Sequence, residues 1–248
     1  MSEGDVASVA LAALAGEISR CTRCALHATR THAVPGEGSP TAELMFVGEA
    51  PGYHEDQQGR PFVGQAGQLL NSLLASVGMT REQVFIANVL KSRPPNNRDP
   101  LPDEIAACQP YLWRQIELIR PKVVCTLGNH ATKLLSGNPT GITRVHGRPQ
   151  VFELAGLSLY LYPIFHPAAA LYTRAMLTTL EEDFGRLPEL LARPRPDAAR
   201  AAAMPVMRGR DQSSEDAAGT VQAAEAAASK AAPASPSSPA VEEQLGLF

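Results

Sequence analysis

The stretch ELMFVGEA, residues 43–50, decides how this chain folds. Leu44 to Val47 are apolar without a polar break, and Gly48, Glu49 and Ala50 follow at once. A run with no polar alternation is the pattern of a strand buried on both faces. Three more runs repeat it: QVFIANVL (83–90), KVVCTLG (122–128) and LSLYLYPIF (157–165). Helical patterns separate the first three. AGQLLNSLLASVG (66–78) repeats Leu at helical spacing, and LPDEIAACQPYLWRQIELI (101–119) sets Pro102, Asp103 and Glu104 in its first turn, as a helix start requires. NHATKLLSG (129–137) follows the third strand and closes on a glycine. Strands alternating with helices predict an α/β fold with three layers, α/β/α, around a central, mainly parallel four-stranded sheet. Ligands bind such sheets outside the carboxyl ends of the strands. Those ends carry GEAPG, NVLKSRPPNNR, LGNHA and FHPAAALY. Each alone reads as turn and capping residues; together they converge on one crevice.

Of the 248 residues, 44% are hydrophobic and 19% charged, enough for a buried core. The net charge of −3 lacks the basic footprint of most nucleic-acid binders, so a DNA partner would need local charge. Lys91, Arg93, Arg98, Arg144, Arg148 and Arg174 are the candidates. VASVALAALAG (6–16) follows Glu3 and Asp5 with no Lys or Arg, which a secretory signal needs, so it reads as a helix with Leu11, Leu14 and Ile18 on one face. No stretch approaches the roughly 18 apolar residues of a membrane span. A cytoplasmic protein that meets no membrane is expected. Near residue 193 the composition turns to Ala, Pro and Ser, which predicts a domain over 1–192 and a disordered linker over 193–243.

Four cysteines occur. Cys108 shares a helical stripe with Ile105, Leu112 and Ile116, and Cys125 lies in an apolar run, so each alone reads as a small buried hydrophobe. Cys21 and Cys24, in CTRC, are harder to dismiss, because a Cys-x-x-Cys in the cytoplasm binds metal or does redox chemistry more often than it forms a structural disulfide. Four thiolates match an all-cysteine zinc site or a 4Fe–4S cluster. A zinc ribbon more usually closes with a second close pair, and Cys108 and Cys125 are not one.

GEAPGYHEDQQGRPFVGQAG (48–67), NVLKSRPPNNRDP (88–100) and HPAAALY (166–172), in this order and with four cysteines around them, resemble family 4 uracil-DNA glycosylases, the iron–sulfur members of their superfamily. The resemblance spans residues 15–190. It implies a monofunctional, monomeric repair enzyme that flips uracil out of single- or double-stranded DNA and hydrolyses its N-glycosidic bond, leaving an abasic site. It also implies a structural 4Fe–4S cluster on Cys21, Cys24, Cys108 and Cys125. A relative acting on another damaged base, and a non-catalytic uracil-DNA-binding or polymerase-accessory domain, are the alternatives; an intact Glu49, Asn88 and His166 set speaks against the second.

By the same resemblance Phe62 stacks on the flipped base, an interaction worth about 1–3 kcal/mol. Asn88 reads the base edge, its amide offering one acceptor and two donors to uracil N3–H and O4. His166 donates to uracil O2 as negative charge develops there. Glu49 and its neighbours hold the catalytic water. Relatives with a dedicated Asp base carry it where this chain has Ala50, which leaves Glu49, a backbone carbonyl or Asn97 as the activator. The tyrosine that excludes thymine's methyl group in other members corresponds to Gly52, so exclusion falls to Glu55. After His166, Leu171 is the expected wedge into the vacated stack, with Tyr172 as its rival, and Arg174 the groove or phosphate contact.

The last residues, EEQLGLF (242–248), are apolar where an Ala/Pro/Ser tail has no reason to be. QLGLF resembles the Gln-Leu-x-Leu-Phe peptide by which bacterial repair proteins dock on the sliding clamp. Gln244, Leu245, Leu247 and Phe248 are the expected contacts, with affinity of about micromolar strength.

Overall fold

The computed structural model describes residues 3–197. Its strands are β1 (Glu37–Gly38), β2 (Leu44–Gly48), β3 (Phe85–Asn88), β4 (Val123–Leu127), β5 (Gln150–Leu154) and β6 (Leu157–Ile164). They form one sheet in the order β1-β3-β2-β4-β6-β5. The helices are α1 (Glu3–Ser19), α2 (Tyr53–Gln58), α3 (Gln65–Ser76), α4 (Pro102–Ile119), α5 (Asn129–Ser136), α6 (Ile142–Val145), α7 (Pro167–Ala170), α8 (Arg174–Gly185) and α9 (Leu187–Ala192).

The four expected strands are the parallel centre, β3-β2-β4-β6. Strands β2, β3 and β4 are buried along their whole length, as their unbroken apolar runs require. Two antiparallel edge strands extend this centre. β1 pairs with β3, and β5 pairs with β6 through a tight turn in which Ala155 and Gly156 both have positive φ.

Residue parity along β4 sorts the core into two layers. Val124 faces Met45, Val47, Leu159 and Leu161, and α4 covers that side with Cys108, Leu112 and Ile116. Val123, Cys125 and Leu127 face the other side with Phe46, Tyr162 and Ile164, under Leu70 and Leu74 of α3 and Phe184 of α8. The N-terminal helix adds Leu14 and Ile18 against Tyr111 and Leu118 on the outer side of α4. Strand progression reverses at β2, from β3 on one side to β4 on the other, and a crevice opens at such a switch point.

Beyond α9 the chain stays against the domain. Arg195 donates to the carbonyls of Arg120 and Pro121, both at 2.9 Å, so contact continues past the expected boundary at 192. Positions 198–243 of the expected linker lie outside the described residues, as do Gln244, Leu245, Leu247 and Phe248. No helix among the described residues is long and apolar enough to cross a membrane.

Candidate active site

Strand register places the site's centre. Gly48 and Asn88 are direct partners at the carboxyl ends of β2 and β3. Asn88 is buried, 2% exposed, and its Oδ1 has no hydrogen-bond partner among the described residues. Leaving such an acceptor unpaired costs about 1–3 kcal/mol, so a buried orphan calls for a ligand donor. A Cβ at Gly48 would lie 2.3 Å from that oxygen and 2.8 Å from Phe62 Cζ, which only glycine avoids. A cavity of about 420 Å³ opens over these groups, and Glu49, Glu55, Asn97 and His166 also line it.

Phe62 is held in place at some cost. Its φ is +51°, in the region disfavoured for bulky side chains, and it is 6% exposed. Arg81 donates to the Phe62 and Pro61 carbonyls and pairs with Glu37 of β1, which also pairs with Arg60. Glu55 ties the same loop from the other side. Its Oε1 accepts from the N–H groups of Val63 and Gly64, and its Oε2 accepts from Gly52. A Cβ at Gly52 would lie 2.8 Å from that Oε2, so a larger residue at 52 would disturb this tie.

The ring of His166 lies 5.6 Å from that of Phe62 at an interplanar angle of 27°. Burial lowers its pKa to about 4, so the imidazole is neutral at physiological pH. The Ala168 N–H donates to its Nδ1 at 3.1 Å, so the ring's single proton sits on Nε2. His166 is therefore a neutral donor at the cavity wall. Glu49 lines the same cavity with a carboxyl pushed upward by burial, an effect opposed by His130 and reinforced by Asp99. One ligand atom from each of Glu49, Asp99 and His130 falls within 4.8 Å of the others. Asn97 Oδ1 already accepts from Arg93 Nε at 2.7 Å, which leaves its amide hydrogens, not its acceptor, to the cavity.

The family model of the uracil DNA glycosylase superfamily matches residues 35–187. The chain belongs to this superfamily. Type-4 uracil-DNA glycosylases of Sulfurisphaera tokodaii and Saccharolobus solfataricus are 51% and 48% identical to it over 184 residues, 72% of this chain and 84% and 85% of theirs. A type-5 uracil-DNA glycosylase of Pyrobaculum aerophilum is 29% identical over 150 residues.

The cysteines do not gather as a set of four. Cys24 packs against the core layer that holds Cys108, and charges on Cys24 and Cys21 reach Cys108 strongly enough to raise its pKa, behind burial as the main cause. Cys125 faces the opposite layer, fully buried beside Phe46 and Tyr162, with its thiol pushed up by burial and by Asp183. The sheet itself stands between Cys125 and the other three. The expected four-cysteine set is thus divided by the sheet, with Cys21, Cys24 and Cys108 on one side and Cys125 on the other.

The wedge candidates follow α7. Leu171 is 38% exposed and Tyr172 is 86% exposed, and with Arg174 they border a second hollow of about 410 Å³. Gly48, Arg81, His130 and Asp99 were not singled out from sequence. Gly48 and His130 stood inside the strand-end motifs, but their roles depend on cross-strand approach. Arg81 and Glu37 are 44 residues apart and carried no local signal.

Proposed function

We propose that the chain is a uracil-DNA glycosylase that flips uracil out of DNA and hydrolyses its N-glycosidic bond, leaving an abasic site for base excision repair. One observation carries the reading: a buried Asn88 acceptor with no partner among the described residues, in a cavity walled by an aromatic ring and a neutral imidazole donor. Uracil N3–H supplies the missing donor and its O4 accepts from the Asn88 amide. Cytosine offers an acceptor at N3 and would leave the orphan unpaired.

The flipped base stacks on Phe62. As the bond from C1′ to uracil N1 breaks, its electron pair moves onto the base and collects at O2, where His166 Nε2–H donates. A neutral donor aimed at developing charge stabilises the transition state without adding a proton to the base. Water then adds to the cationic C1′, and its proton passes to Glu49. Glu55 fixes the cavity wall where a thymine methyl group would have to fit. Leu171 or Tyr172 fills the vacated stack and Arg174 meets the backbone.

Cys21, Cys24 and Cys108 are the thiols that would hold a 4Fe–4S cluster, which would serve as a structural staple between the N-terminal segment and the end of β3. The final residues, Gln244 to Phe248, dock the enzyme on a sliding clamp. The cluster and the clamp contact rest on the sequence resemblance, and the restriction to three thiols rests on the place of Cys125 in the opposite core layer.

Incubating the protein with oligonucleotides that contain uracil, hypoxanthine or a G·T mismatch, then cleaving abasic sites with alkali, tests the main reading. Strand scission only at uracil is expected. Scission at none, or only at another base, overturns it.

A further inference from the structure

With Cys125 across the sheet, the thiol corner lacks a fourth ligand. The segment that passes closest supplies a different atom. The Lys91 N–H donates to Cys108 Sγ at 3.4 Å, which puts the next residue, Ser92, beside the thiols. Ser92 is 3% exposed, and its Oγ accepts from Arg30 Nη1 at 3.1 Å. The same guanidinium donates to the Ser19 carbonyl at 2.8 Å. Ser19 and Arg30 bracket the segment carrying Cys21 and Cys24, so the hydroxyl lies between that segment and the end of β3.

Two further observations suit a cluster with an oxygen corner. The Arg30 guanidinium fixes the hydroxyl oxygen from the side of the segment that carries Cys21 and Cys24. The thiols are also spaced too widely for a single ion. Tetrahedral zinc holds its sulfurs about 3.8 Å apart, from bonds of about 2.3 Å. No three cysteine sulfurs among the described residues lie within 4.8 Å of one another.

We infer that the iron–sulfur cluster of this chain is held by three thiolates, Cys21, Cys24 and Cys108, and by the Ser92 oxygen, with Cys125 taking no part. The inference rests on the cluster reading above. One soft ligand replaced by a hard one leaves that corner's iron the most weakly held.

Iron and sulfide content, visible absorbance, electron paramagnetic resonance after reduction, and the rate of iron loss to a chelator test it on the anaerobically purified full-length protein. Cys125→Ala is expected to keep the parent's iron, spectrum and loss rate. Ser92→Cys, which adds no bulk beyond a sulfur, should shift the resonance and slow iron loss by about tenfold. Ser92→Ala should speed iron loss by a similar factor. Iron lost on Cys125→Ala, or a spectrum and loss rate unmoved by both Ser92 variants, overturns the ligand assignment while leaving the cluster standing. Zinc, or no metal, in the parent overturns the cluster itself.

Discussion

Asn88 Oδ1 is a buried acceptor with no hydrogen-bond partner among the described residues. Asn88→Asp keeps the acceptor and removes the donor to O4, so uracil processing should fall while discrimination against cytosine weakens; kinetics on matched uracil and cytosine oligonucleotides would show it. His166→Ala should lower turnover by about 10²-fold with DNA affinity nearly unchanged, because the donor acts on charge that appears in the transition state. A tenfold loss of binding at constant turnover would contradict that role. The pH profile separates His166 from Glu49. His166 stays neutral down to about pH 4, so it gives no limb above that. Glu49, raised by burial, must be ionised to take the water's proton, so the rate should fall on the acid side, starting above the usual glutamate range. Asp99→Asn removes a like charge and should move this limb to lower pH. His130→Ala removes the opposing influence and should move it higher.

At the scale of elements, the central strands were legible because burial on both faces leaves an unbroken apolar run, and nothing else reads that way. The edge strands were not. β1 is two residues with no apolar content, and β5 alternates half-buried with buried positions in QVFEL, as an edge permits. Side-chain parity shows the same limit. Sequence alternation puts Cys125 with Val123 and Leu127, opposite Val124, but it does not say which face receives α4 and Cys108. The distance between two thiols is thus a tertiary fact. The loop that carries Phe62 is another. Its strained backbone is held by Arg81 and Glu55, which come from different elements. Arg81→Met should release the Phe62 and Pro61 carbonyls, letting Phe62 relax from its positive φ. A several-fold rise in KM with a smaller change in kcat is expected, measured on a short single-stranded uracil oligonucleotide.

For the whole molecule, the catalytic domain and the clamp peptide are separable in the reading given above. Deleting 244–248 should abolish clamp capture in a pull-down and leave activity on a short oligonucleotide untouched. Unchanged capture, or lost activity, would remove the docking role. Tethering matters because micromolar binding becomes effective only when the partner is kept close.

Asn88, Lys91 and Ser92 lie on one short segment, and the buried Lys91 Nζ donates to both the Asn88 carbonyl and Gln115 Oε1, each at 2.7 Å. The same residue's N–H meets Cys108. The Asn88 amide and the thiol of Cys108 are therefore tied to one short stretch of chain. A shift at the thiol side would be passed along this segment to Asn88, so base selectivity is the property that loss of that corner should disturb first.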